Sequence, residues 1–473
     1  MQLPESFITR TRALLKEEYP AFEEAIRKDQ SVSVRLNPAK TEGSLSEDAV
    51  PWCEGGYYMG QRPTFTFDPL FHAGFYYVQE ASSMFLDRVI RQYVKDPVRY
   101  LDLCAAPGGK TTLAISALPQ GSLVLGNEIE RKRAHILAEN ITKWGASASM
   151  VMNNRASDYS GLTHFFDVIL TDVPCSGEGM FRKDPQAVTE WSEANVLNCA
   201  SRQKDILHDI WAALRPGGLL IYSTCTYNTE ENEEMVEYIR RELGAEVLPV
   251  ETDPAWGIHS KLSGENPVYR FMPHTTRGEG LFMALLRKSE EEEVCEREYL
   301  VRDFLKKGQK KGKKESKKDQ SAVFPKEVRE WLRHPDRFVF EVKGERLVAY
   351  PKIYADEMKM LAGELNPLIE GLVLGSFKGK DIIPDHALAL STELNRDAFE
   401  VASIDWNTAV AYLRREAVVL SPEVKKGYVL LTYQDAPIGW VKNIGNRSNN
   451  LYPQEWRIRS GYLPEEVILV KPE

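Results

Sequence analysis

The 473-residue sequence contains no C-x-x-C pair; its six cysteines stand apart at 53, 104, 175, 199, 225 and 295. Structural zinc sites and disulfide frameworks rely on closely spaced thiols, so the pattern argues against both and for a reducing, cytoplasmic setting. No metal is expected. No apolar run approaches the roughly 20 residues needed to cross a bilayer, and the opening Met1-Gln-Leu-Pro-Glu-Ser6 lacks the basic-then-apolar pattern of a secretion signal. Positive charge is also short: 60 Lys and Arg against 69 Asp and Glu leave a net charge of −9. Such a chain binds nucleic acid poorly without specificity, so any RNA contact requires local clusters of Lys and Arg. Two glycine signatures are missing as well. G-x-G-x-x-G is absent, which removes the dinucleotide fingerprint, and the residue five before Gly109-Lys-Thr is Cys104, which argues against a P-loop nucleotide hydrolase.

What is present suggests several domains, because one core rarely extends past ~250–300 residues. Residues 1–95 read as an N-terminal α/β domain. Phe7, Leu14, Leu15, Phe22, Ala25 and Ile26 have helical spacing, Val32–Pro38 alternates like a strand, and a helix is expected to start within Tyr76–Phe85. The aromatics of 52–75 are expected in the core rather than stacked on bases. Residues 96–288 alternate strands with helices, the signature of a mostly parallel sheet. Strands are expected at Tyr100–Cys104, Leu123–Glu128, Ser149–Asn153, Val168–Asp172, Leu219–Thr224 and Leu281–Arg287. Leu207, Ile210, Trp211 and Leu214 mark one helix face that ends at Pro216-Gly-Gly. Residues 289–322 form a charged linker with lysines at 306, 307, 310, 311, 313, 314, 317 and 318. A small unit (323–395) and a final β unit (396–473) follow, the latter with a hairpin turning at Asp435-Ala-Pro.

Two stretches carry chemistry. In Cys104-Ala-Ala-Pro-Gly-Gly-Lys110 a strand meets a helix start through small residues, which let a ligand approach the backbone. Glu128 ends the next strand, where nucleotide-binding α/β units hold ribose hydroxyls, and Asn154 follows the third, placed to meet an adenine edge. An adenosyl cofactor with a compact charged tail, S-adenosylmethionine, fits this pattern. The second stretch is a pair. Asp172-Val-Pro-Cys175 and Ser223-Thr-Cys225 both follow apolar strands, so Cys175 and Cys225 are expected at one sheet edge. Asn228 or Thr229 is expected to cap the next helix, with Glu231, Glu233 and Glu234 offsetting its dipole.

A methyl-transfer enzyme needs a thiol when the target is carbon 5 of a pyrimidine. That carbon is a weak nucleophile until a thiolate adds to carbon 6, after which a base must take the carbon 5 proton. Cys225, Asp172 and Cys175 can fill the roles of nucleophile, charge stabiliser at N3 and base, with Lys110 as the nearby cation that favours a thiolate.

These motifs, together with Gln79-Glu-Ala-Ser-Ser-Met84 and Val34-Arg-Leu-Asn37, resemble the NOP/Sun family of RNA 5-methylcytosine methyltransferases. The resemblance implies a Rossmann-like class I methyltransferase with a seven-stranded sheet and a C-terminal PUA-like RNA-binding unit. It further implies that Cys225 attacks, Cys175 assists proton removal and release, and that residues 104–110 (Cys104, Ala105, Ala106, Pro107, Gly108, Gly109, Lys110), Glu128, Asn154 and Asp172 hold S-adenosylmethionine. The family carries an acid where Asn154 stands. The implied partner is RNA, foremost 16S (small-subunit) ribosomal RNA; a transfer RNA methyltransferase or a non-catalytic RNA-binding assembly factor are the alternatives. Arg182, Lys183, Lys442, Arg447, Arg457 and Arg459 are candidate phosphate contacts.

Overall fold

Four short strands open the chain: β1 (Val32–Leu36), β2 (Asp48–Ala49), β3 (Gly56–Met59) and β4 (Tyr76–Val78), in the order β2-β3-β1-β4. The computed structural model describes residues 2–291, 300–301, 303–304 and 324–472. The lysines at 306–318 lie outside the described residues. Tyr76–Val78 is a strand and not a helix start, because its aromatic and β-branched residues pair with β1 (Val34 opposite Val78, Leu36 opposite Tyr76). The helix expected to start within Tyr76–Phe85 begins later in that stretch, as the 3-10 turn Ser82–Phe85 that runs into the helix Leu86–Tyr93. Trp52, Tyr58, Phe67 and Tyr76 are buried, as expected of core aromatics.

The central sheet contains β5 (Arg99–Asp102), β6 (Leu123–Asn127), β7 (Ser149–Met152), β8 (Phe166–Asp172), β9 (Leu214–Thr224), β10 (Ala245–Leu248), β11 (Tyr269–Phe271) and β12 (Leu281–Lys288). Strands β5 to β9 pair in parallel, and β12 runs antiparallel to β9. Beyond the C-terminal unit's β13 (Phe338–Lys343) and β14 (Arg346–Pro351), β15 (Pro367–Ile369) joins this sheet antiparallel to β7. The order is β10-β12-β9-β8-β5-β6-β7-β15, with β11 beside β12, so the expected seven strands become nine. The chain order reverses at β5, between β6 and β8, and ligands in such sheets bind at the carboxyl edge of that switch point.

One boundary differs from the sequence expectation. The helix Glu193–Trp211 stops before Leu214, which is the first residue of β9 and lies opposite Phe166. Register then shifts so that Val168 faces Leu219, and Arg215-Pro-Gly-Gly bulges out with Gly217 at φ +69°. Pro216 thus sits in a bulge, where its missing N–H removes no ladder bond.

The remaining strands, β16 (Leu372–Lys378), β17 (Asp381–Pro384), β18 (Glu400–Ser403), β19 (Gly427–Tyr433), β20 (Ala436–Asn443) and β21 (Ser448–Asn450), build two four-stranded sheets, β13-β14-β16-β17 and β18-β19-β20-β21. The β19–β20 hairpin turns at Gln434-Asp435, both at positive φ, one residue earlier than Asp435-Ala-Pro suggests. Apolar residues of the first and last regions share one cluster, including Val34, Phe67, Val429 and Tyr452. No helix among the described residues is long and apolar enough to cross a membrane.

Candidate active site

Both cysteine motifs leave adjacent parallel strands. Asp172 ends β8 opposite Ser223 of β9, so the chains that turn off these strands emerge side by side. The sulfurs of Cys175 and Cys225 lie 3.2 Å apart, and both residues are partly accessible. Asp172 Oδ1 accepts the Ser223 hydroxyl at 2.7 Å, and its Oδ2 accepts from Lys110 Nζ at 2.8 Å. Lys110 belongs to the helix Gly109–Ala117 that follows β5. This ion pair therefore joins the thiol edge to the glycine loop.

Electrostatics oppose a charge on Cys175. The hydrogen bond to Cys225, then burial, then the charges of Cys225 and Glu231 hold the Cys175 thiol well above its usual range. Either sulfur can donate in this contact. Burial works against the Lys110 charge, yet Asp172, Asp102 and Cys225 hold that charge above the usual lysine value. The Cys104 thiol, partly accessible like the other two, is also pushed up, first by desolvation.

The loop after β5 leads into its helix through Gly108 at φ +115°, a conformation a side chain would strain. Arg133 donates to Ala106 O at 2.7 Å and Asn140 to Pro107 O at 2.8 Å, which fixes the loop from the next helix. The N-terminal region braces it from the other side. Arg35 donates to Gln79 Oε1 and Thr112 Oγ1 at 2.8 and 2.7 Å, while Asn37 and Lys40 bond the carbonyls of Trp144 and Lys143 at the end of the helix Arg131–Trp144. That is the physical content of the Val34-Arg-Leu-Asn37 motif, and spacing alone did not reveal it.

Glu128 is 3% exposed and its Oε2 has no hydrogen-bond partner, although Arg133 stands 3.4 Å away. A buried acceptor without a donor is unstable unless a ligand supplies one. With the glycine loop it fits the hydroxyls of an adenosyl cofactor. Asn154 does not. Its Nδ2 donates to Asp158 at 2.9 Å and its Oδ1 accepts the Asn366 N–H at 2.9 Å, so the amide stitches β15 to the end of β7 rather than facing an adenine. The partner is 212 residues away in the chain, beyond any local pattern.

Three further expectations change. Arg182 is not free for phosphate: it pairs with Glu279 at 2.8 Å, both side chains being under a tenth exposed. Lys442 pairs with Asp381 at 2.8 Å. Lys183, Arg447, Arg457 and Arg459 are exposed. The cap before the helix Glu233–Glu242 is also different, since neither Asn228 nor Thr229 fills it. Asn232 holds the N-cap position without a side-chain cap bond; its amide instead engages the Thr224 hydroxyl and Thr226 O. Glu233 is bonded to the buried Arg270 at 2.8 Å. Sequence reasoning missed Glu178, whose carboxylate accepts from Trp191 Nε1, Tyr227 N and Asn228 N at 3.0, 2.7 and 2.9 Å. It also missed a cavity of about 820 Å³ lined by Arg27, Lys28, Asp29, Arg62, Arg182 and Arg277, in which Arg27, Lys28, Arg182 and Arg277 pair with Glu23, Glu24, Glu279 and Asp48.

Comparison with known proteins agrees with this geometry. Ribosomal RNA small subunit methyltransferase F of Escherichia coli O127:H6 is 30% identical over 485 residues, covering 97% of each chain. The chain belongs to the RsmF family. The corresponding protein of Erwinia tasmaniensis is 30% identical over 424 residues, covering 88% of this chain and 85% of that one. Residues 93–287 match the family model of 16S rRNA methyltransferase RsmB/F, residues 3–81 that of the RsmF N-terminal domain, and residues 399–458 that of the RsmF PUA domain. Among solved structures, a methyltransferase homolog from Pyrococcus horikoshii is 25% identical with a TM-score of 0.52, over 60% of this chain and 95% of that one. NSun6 from Pyrococcus horikoshii, solved with SFG, shares the fold at 20% identity with a TM-score of 0.53, over 61% and 99%. The central sheet is thus that of a class I methyltransferase, and the last sheet lies in a PUA domain.

Proposed function

We propose that the protein uses S-adenosylmethionine to methylate carbon 5 of a cytosine in 16S ribosomal RNA through a covalent cysteine–cytosine adduct. The observation that carries this reading is the 3.2 Å contact between Cys175 and Cys225 beside the Lys110–Asp172 pair. Family membership supports the ribosomal substrate.

S-adenosylmethionine, held by residues 104–110 and Glu128, supplies an electrophilic methyl group on a sulfonium. The chain's own residues do the rest. Cys225 adds as thiolate to carbon 6, which makes carbon 5 nucleophilic. Asp172, fixed by Ser223 and Lys110, faces N3 of the flipped base, where charge develops. The contact with Cys225 and burial oppose loss of the Cys175 proton. Once the Cys225 sulfur is bonded to carbon, the chief cause of that suppression is gone. Cys175 can then release its proton to solvent and take the carbon 5 proton; the freed electron pair re-forms the 5,6 double bond and breaks the bond from carbon 6 to sulfur, so Cys225 leaves as thiolate. Exposed basic residues of the PUA domain, together with the exposed Arg62 at the mouth of the N-terminal cavity, hold RNA phosphates.

Replacing Cys225 with Ala is expected to abolish methyl transfer and to leave cofactor binding intact. Cys175→Ala is expected to accumulate enzyme–RNA adducts that survive denaturing gels. Adducts formed by the Cys225 variant instead would reverse the two roles, and full activity of either variant would overturn the mechanism. Bisulfite sequencing of total RNA from a deletion strain identifies the substrate: a lost 5-methylcytosine in transfer RNA rather than 16S RNA would contradict the ribosomal assignment.

A further inference from the structure

Helix capping does not account for Glu231. The residue is fully buried and sits two positions ahead of the helix Glu233–Glu242. Its Oε2 accepts the Ser176 backbone N–H at 3.0 Å and Gln203 Nε2 at 2.8 Å; its Oε1 accepts Asn228 Nδ2 at 2.8 Å. Gln203 Nε2 also donates to Pro174 O at 3.0 Å. Glu231 and Gln203 thereby grip the residues on either side of Cys175. The other thiol is reached through Asn228, whose Nδ2 lies 3.0 Å from Thr226 Oγ1 and 3.2 Å from Ser176 Oγ. The Ser176 and Thr226 hydroxyls meet at 2.9 Å. One carboxylate therefore organises the turns that carry both sulfurs, while touching neither sulfur itself.

We propose that Glu231 is a positioning residue for the cysteine chemistry: its carboxylate sets the contact between Cys175 and Cys225 by holding the turns that carry both sulfurs. The proposal rests on the covalent mechanism above. Only an acceptor-only group suits this place. Three donors converge on two oxygens, and an amide would turn an N–H toward at least one of them. The Glu231 charge also opposes ionisation of Cys175, in the same sense as burial and the Cys225 hydrogen bond. A neutral replacement thus loosens the geometry and removes one charge that opposes ionisation of Cys175.

The test is Glu231→Gln in the full chain. Misplacement of a reacting group by ~1 Å can cost on the order of 100-fold in rate, so kcat for methyl transfer is expected to fall by roughly tenfold or more, with KM for RNA and for S-adenosylmethionine changed by less than about twofold. A second readout requires neither RNA nor cofactor. Diamide oxidation of wild-type protein, followed by peptide mass spectrometry, should link Cys175 to Cys225, and the Gln variant should form this disulfide about tenfold more slowly while iodoacetamide labels its Cys175 faster. Wild-type kcat and wild-type disulfide formation in the variant would overturn the proposal. If the wild-type enzyme forms the disulfide but transfers no methyl group to cytosine, the covalent mechanism fails while the bracing role of Glu231 stands. Should Glu231→Gln fail to fold, Gln203→Ala removes the Pro174 tether and one Glu231 donor; unchanged disulfide formation in that variant also overturns the proposal.

Discussion

The two halves of the active site differ in how much of their polar chemistry the protein has already satisfied. Around the thiols, Glu178 and Glu231 each accept from three donors, and Ser176, Thr226 and Asn228 are hydrogen bonded to one another. Around the glycine loop, Glu128 Oε2 and Asp102 Oδ1 are buried without any hydrogen-bond partner. A satisfied network is rigid, and an unsatisfied acceptor costs free energy until a donor arrives. The contrast teaches where preorganisation sits. The thiol side is hydrogen bonded throughout, whereas the glycine-loop side keeps buried oxygens without a donor.

The sharpest way to break this contrast is at Glu178. Glu178→Ala strands two backbone N–H groups and an indole N–H, each costing ~1–3 kcal/mol when buried. A loss of roughly 5 kcal/mol in stability is expected by denaturant titration, and a loss below about 1 kcal/mol would show that the thiol side is not braced as described.

Asp102 probes the other half through pH. Burial pushes its carboxyl up to about 7 despite the Thr111 hydroxyl bonded at 2.6 Å. Between about pH 4 and 7 the unfolded chain releases this proton while the folded chain keeps it, so stability falls as pH rises through that window and levels off above it. The upper bound on that loss is on the order of 4 kcal/mol. Asp102→Asn should flatten the curve between pH 4.5 and 7; an unchanged slope would remove Asp102 as its source.

Glu128→Ala should weaken S-adenosylmethionine binding by about 10–100-fold, the cost of a charge-assisted hydrogen bond. Its effect on thermal stability should be well below that of Glu178→Ala, because Glu128 accepts only the Glu130 N–H where Glu178 accepts two backbone N–H groups and an indole N–H. Equal thermal effects would erase the distinction between the halves. The smallest change expected is at the exposed PUA-domain arginines: Arg447→Ala, Arg457→Ala or Arg459→Ala should each lower the salt dependence of RNA binding by about one unit of slope, with methyl transfer to saturating RNA unaffected.

Legibility followed the range of the interactions. Strands and the glycine loop were readable because alternation, apolar runs and small-residue turns are local signals. The edge shared by both thiols was readable too, since parallel strands deliver their carboxyl ends to one side. Leu214 was misassigned because a bulge, invisible in spacing, absorbed Pro216 and moved the residue into β9. Arg182 and Asn154 were misread for a different reason. Each resembled a ligand contact by type, and each found a protein partner 97 or 212 residues away.

The amino-acid sequence by itself determined the order of strands and helices, the small-residue loop and the presence of two thiols and an acid after apolar strands. These follow from side-chain periodicity and backbone sterics, which act over a few residues. Only the tertiary structure decided that the sulfurs touch and that Glu231 faces Ser176 instead of a helix end. Those outcomes depend on burial and on donors brought together from distant parts of the chain, and no local pattern encodes them.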